Sequence, residues 1–183
     1  MVRWIRRSAT GRRVLVLFCM LLVFVSMILP WVAARLAAYS GGGPSIALNV
    51  GVAPADLAAA LDALGPDGRA FYALFLLSGD VVWPLVYALF LSTLLAWLFA
   101  RGLSPASPFH RLIIVPFLAL AADYAENVGI LALILVFPAR LDGIAQLTST
   151  FQVLKWSLIG VSGLLVVVGA IAAVVRRGAR ATG

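Results

Sequence analysis

The segment FLALAADYAENVGILALILVF, residues 117–137, sets two carboxylates and a carboxamide (Asp123, Glu126 and Asn127) inside an otherwise apolar run. Extended back to Leu112, the run is long enough at ~1.5 Å per residue to cross the roughly 30 Å of hydrocarbon in a bilayer. Its fifteen Leu, Ile, Phe and Val side chains favour insertion by about 5–9 kcal/mol, while ionised Asp123 and Glu126 oppose it by about 5–7 kcal/mol. Such a segment is marginal alone and needs partners to receive its polar face. Asp123, Glu126, Asn127 and Ile130 follow the i, i+3, i+4, i+7 spacing of one helical stripe.

The neighbouring apolar runs supply those partners. Upstream, SGDVVWPLVYALF (78–90) carries Asp80, Trp83, Pro84 and Tyr87 in one register. Pro84 has no N–H, so the carbonyl of Asp80, four residues earlier, loses its helical donor. A carboxylate and a freed carbonyl thus coincide, which only a protein interior or a wet cavity tolerates. Downstream, Thr148, Gln152 and Lys155 form a third stripe that Ser162 continues.

Spans are expected at about 70–100, 112–137 and 150–175. Counting ~1.5 Å per residue along them puts Asp80 and Asp123 near the midplane and Glu126 level with Lys155. The expected site is a Glu126–Lys155 ion pair inside the bundle. Asp80 and Asp123 are the candidate proton donor and acceptor, and Asn127, Gln152, Tyr87 and Arg69 are further binding groups. One lysine does not neutralise three carboxylates in a low dielectric. Asp80 or Asp123 is therefore expected to hold a proton, to meet Arg69, or to meet a bound cation. A network that only glues helices together, at ~0.6 kcal/mol per hydrogen bond, is the competing reading.

Composition agrees with the bilayer as solvent. Of 183 residues, 63% are hydrophobic and 11% charged, with mean hydropathy +1.08. A soluble domain of this length cannot bury that much apolar surface. A further run at 14–36 brings the spans to four. Arg3, Arg6, Arg7, Arg12 and Arg13 precede it, Arg101 and Arg111 lie between spans two and three, and Arg176, Arg177 and Arg180 follow the last span. Arg35, Arg69 and Arg140 fall on the opposite side. That asymmetry predicts a multi-pass protein of the inner or plasma membrane with both termini in the cytoplasm. A cleaved signal peptide is the rival reading of 14–36, because Ala33, Ala34, Ala37 and Ala38 follow its core, but the run is longer than a signal core. The arginines flank spans rather than cover a soluble face, which argues against nucleic acid despite a pI near 10.8.

YSGGGPS (39–45) can hold no regular element. After it, PADLAAALDALGPDG (54–68) repeats Leu57, Ala60, Leu61 and Leu64 at helical spacing. Pro54 suits a first turn, Asp56 complements the dipole, and Gly65-Pro66 ends the element. The spacing predicts an amphipathic helix at about 54–64 on the outer membrane surface, serving as a connector or a lid. The fold expected is all-α: an antiparallel four-helix transmembrane bundle, with a basic arm at 1–13, one membrane domain at 14–175 and a basic tail at 176–183.

Several chemistries lack their residues. His110 is the only histidine, so no Ser-His-Asp triad, His-rich zinc site or di-iron pair is available. The glycines at 41–43 are not followed by the Lys-Thr of a phosphate-cradling loop. The single cysteine, Cys19, excludes an intrachain disulfide and reads as a small buried hydrophobe. The acids are numerous enough to hold Mg²⁺ with a diphosphate, but Lys155 nearby and the lack of a paired aspartate cluster argue against it. No metal and no cofactor is expected.

GRAFY (68–72), DVVWPLVY (80–87), DYAEN (123–127) and Lys155 together resemble a group of small bacterial four-span membrane proteins. Those share G-R-x-x-Y, D-x-x-x-P-x-x-Y, D-x-x-E-N and a late lysine. The likeness covers about residues 54–160. It implies a four-span architecture and the place of a polar site, and it implies no reaction. Three functions fit the residues: binding or processing a lipid-like or isoprenoid small molecule; proton-linked transport or a channel, acting as a homo-oligomer; and an accessory role beside a partner membrane subunit, with membrane lipids bound at the basic ends.

Overall fold

The computed structural model describes residues 2–42, 53–139 and 141–181. Arg140, counted above as a topology signal, and most of the glycine-rich connection lie outside the described residues. Among the described residues there are seven helices and no strand: α1 (Val2–Ser8), α2 (Gly11–Tyr39), α3 (Pro54–Ala63), α4 (Gly65–Leu76), α5 (Gly79–Gly102), α6 (Pro108–Val136) and α7 (Asp142–Ala181). Four of them, α2, α5, α6 and α7, are long and apolar enough to cross a membrane. The chain is an all-α bundle of four such helices.

The single span expected at 70–100 is two helices. Leu77 and Ser78 interrupt it, with Ser78 at φ −124°, ψ −84°, and α5 starts afresh at Gly79. Serine and glycine are poor at continuing a helix, and adjacent they make a natural break. The earlier piece, α4, folds against α2 and α6. Gly65 permits this by taking φ +63°, the left-handed region open to glycine, so α4 can begin at the turn that ends α3. Gly65-Pro66 thus stops one helix and starts the next.

Proline also explains the other irregular turns. Pro30 cannot donate to the carbonyl of Ser26, and α2 responds with a π-turn over Phe24–Ile28 in which Leu29 N–H bonds Phe24 O. Pro116 cannot donate to Leu112 O, and Val115 N–H takes that carbonyl in a 3₁₀ turn that opens α6. The last helix begins at Asp142 rather than near 150 and has 40 residues. At ~1.5 Å per residue it is about 60 Å long, twice the hydrocarbon thickness.

Buried apolar clusters close the bundle at both ends. At one end Leu57 and Leu61 of α3, and Leu64 just after it, are buried with Ile130, Leu133 and Ala145, so protein covers the apolar face that the sequence assigned to the membrane surface. At the other end Ile5 of α1 is buried with Leu95, Phe99 and Ile113. The basic arm is therefore docked helix rather than free chain. Arg176 of α7 donates to the carbonyl of Leu103 and ties the tail to that same end. Cys19, expected to be buried, lies on the exposed side of α2.

Candidate functional site

The polar stripes of α5, α6 and α7 meet in one network. Lys155 of α7 reaches two carboxylates of α6, with Nζ 2.5 Å from Glu126 Oε2 and 3.4 Å from Asp123 Oδ1. The remaining oxygens are also bonded: Gln152 Nε2 donates to Glu126 Oε1 at 3.1 Å, and the Tyr87 hydroxyl donates to Asp123 Oδ2 at 3.1 Å. Asp123 and Glu126 are 2% and 3% exposed, so these bonds are made away from water. Asp123 and Glu126 lie one turn apart on α6, and Gln152 and Lys155 one turn apart on α7. The antiparallel crossing then sets Glu126 between Gln152 and Lys155. The ion pair expected from depth is present; its second branch, to Asp123, is what residue counting did not assign.

Asp80 joins from α5. It stands in the first turn of that helix, so the break at 77–78 brings the positive end of a helix dipole to a carboxylate inside the bundle. Asn127 Nδ2 donates to the Asp80 carbonyl at 3.3 Å, and this is the carbonyl that Pro84 deprives of its helical donor. The Tyr124 hydroxyl takes the next carbonyl, Val81, at 2.7 Å. The backbone defect on α5 is therefore repaired by side chains of α6. Asn127 is nine residues from Val136, the end of α6, which places Asp80 about 14 Å inside that end.

One sequence-predicted residue is not at the site. Arg69 lies on α4, donates to the carbonyl of Leu61 at 3.0 Å and stacks on the Phe137 ring at 3.7 Å. It caps the C-terminal end of α3, where a cation is favoured. Of the three alternatives for Asp80 and Asp123, the contact with Arg69 is corrected: the helix break at Leu77–Ser78 leaves Arg69 on α4, bonded to the end of α3.

A cavity of about 280 Å³ opens against the network. Its polar end is formed by Asp80, Asp123, Glu126, Asn127 and Lys155. Tyr72, Phe75, Trp83, Tyr87 and Trp156 give it aromatic walls. The far wall is a stripe of α2: Leu21, Val25, Leu29 and Val32. The π-turn falls within this stripe, and beside it Phe24 packs on Trp83 with ring centroids 5.6 Å apart. The sequence reading found α2 as a span but not as a wall of the site, since apolar residues lining a cavity and apolar residues meeting lipid look alike in an apolar run. Trp83 was signalled by its register with Asp80; Trp156, over whose ring Lys155 sits at 5.6 Å, was not.

The arrangement commits most of its groups. Lys155, Glu126 and Asp123 hold one another, with Gln152 and Tyr87 fixing their orientation, whereas Asp80 faces the cavity from a helix N-terminus. Chemically it offers a rigid carboxylate–ammonium floor beneath an apolar chamber. Comparisons with known protein families, curated proteins and solved structures return no match for this chain.

Proposed function

We propose that this multi-pass membrane protein binds one lipid-like or isoprenoid molecule, its head against the α5–α7 network and its chain along α2. One observation carries the reading: the buried carboxylate–lysine network and an apolar chamber share a single cavity of about 280 Å³. Helix glue needs no such space, and small-ligand pockets combine an apolar lining with a few placed polar groups in this way. Of the two acids considered for proton transfer, Asp123 has both oxygens engaged. Asp80 is therefore the group that meets the bound molecule, and Asp123 positions Lys155 and Tyr87.

The protein belongs, on this proposal, to the inner or plasma membrane with both termini in the cytoplasm. The end that carries α1 and the Arg176–Leu103 contact also carries Arg101 and Arg111, the side favoured by the positive-inside rule. The resemblance to small bacterial four-span proteins is part of the same proposal.

Native mass spectrometry of gently extracted protein tests it. The wild type should retain a lipid-sized adduct, and Leu29→Trp, which fills the chamber, should lose it. Asp80→Asn should weaken retention with helix content unchanged. A wild type that flies bare under conditions that preserve lipid on other membrane proteins would remove the reading.

A further inference from the structure

We infer that the head of the bound molecule is cationic: an amphiphile with an amine or quaternary ammonium group. The inference rests on the cavity reading above and names the class of ligand for that cavity. Three carboxylates and one ammonium line the polar end. Lys155 is already shared between Glu126 and Asp123, at 2.5 and 3.4 Å, so among the described residues that line the cavity no second cationic side chain is left to receive an anionic head. An anion would have to sit beside Asp80 in a low dielectric, where like charges repel most strongly. A neutral hydroxyl head supplies no charge, so Asp80 would have to take up a proton instead. A cationic head supplies the charge the site is short of, as a paired buried charge requires.

The aromatic walls agree with that assignment through separate chemistry. Trp83 and Tyr87 stand one turn apart on α5, above Asp80, with ring centroids 5.6 Å apart and planes at 67°. Tyr72 and Phe75 face them from α4 across the same cavity. A carboxylate beside several aromatic rings is the combination that favours alkylammonium groups, because ring faces attract a cation without requiring it to shed a directional hydrogen-bond partner. The α2 stripe then receives the chain.

The test uses full-length protein in nanodiscs of zwitterionic lipid, titrated with decylamine, decanol and decanoate and read by native mass spectrometry. Decylamine should bind saturably and roughly tenfold or more tighter than decanol, the margin expected of a partly desolvated cation at an acid and ring faces. Decanoate should show no saturable binding. Asp80→Asn should bring decylamine and decanol to equal affinity, Asp80→Glu should keep the preference, and Leu29→Trp should abolish binding of both. Equal binding of all three probes by the wild type would overturn the cationic head and leave the cavity reading standing. Failure of decylamine to bind also overturns the cationic head, and the retained-lipid measurement then decides the cavity reading separately. Decylamine binding that Leu29→Trp leaves untouched would overturn both.

Discussion

Pro84 leaves one carbonyl without its helical donor, and Asn127, on a different helix, provides the replacement. The two residues should therefore be energetically coupled. Asn127→Leu is expected to lower stability by roughly 0.6–1.7 kcal/mol, the range for a hydrogen bond between membrane helices. In a Pro84→Ala background the backbone N–H returns and the same change should cost close to nothing. Denaturant titration of the four proteins in detergent checks this, and equal costs in both backgrounds would refute it. Lys155 makes a larger prediction. Lys155→Met leaves Asp123 and Glu126 side by side without a cation, and should cost about 3–5 kcal/mol. Adding Glu126→Gln should recover part of that loss, read as a rise in unfolding midpoint over the single variant. The Glu126–Lys155 pair was legible beforehand, because charge inside an apolar helix must be answered and 3.6-residue spacing says on which face; the Asn127 bond to the Asp80 carbonyl was not. The partner of Asp80 was not legible. Arg69 precedes Asp80 by three turns in a continuous helix, and the expectation took 70–100 as one helix although Ser78-Gly79 interrupts it.

The helices differ in what holds them. α6 and α7 are the most intimate pair because Gly129 lets α7 approach until a Cβ there would collide with Thr148 Oγ1. Thr148 is β-branched and its hydroxyl already bonds Ile144 O at 2.8 Å, so it has little freedom to turn aside. Gly129→Ala should thus destabilise by about 1–3 kcal/mol despite adding one methyl group to an apolar helix. Thr148→Ala in the same chain should restore most of the loss, as thermal unfolding followed by circular dichroism would show; a Gly129→Ala protein as stable as wild type would mean the helices slide apart freely. α2 is the opposite case. Most of its apolar length is exposed, whereas α5 is largely buried, yet α2 closes one wall of the cavity. Its place in the site was hidden because every residue of such a run suits lipid. Pro30 interrupts that run, and the π-turn that answers it lies at the chamber wall.

At the scale of the molecule, charge and packing point the same way. Ile5 seats α1 and Arg176 holds the α7 tail beside the Leu103 connection, so the arginine-rich segments gather at one end. Arg35, near Trp31, and Arg69, on Phe137, mark the other. Arg35–Trp31 at 5.7 Å and Arg101–Trp97 at 3.8 Å pair a guanidinium with an indole toward opposite ends, as expected of side chains anchored at the two interfaces of a bilayer. Single cysteines can read the orientation directly. Cys19 lies on the exposed side of an apolar span, where aqueous maleimide does not reach, and Cys19→Ala gives a silent background. Ala59 on α3 and Ala106 between α5 and α6 are both exposed and stand at opposite ends. In intact cells a membrane-impermeant maleimide should label Ala59→Cys and leave Ala106→Cys unmodified until the membrane is opened. The reverse pattern would invert the topology and place the α3 end in the cytoplasm. Labelling of both in intact cells would mean that α5 does not cross the bilayer, and the network it shares with α6 and α7 would then have water rather than hydrocarbon around it.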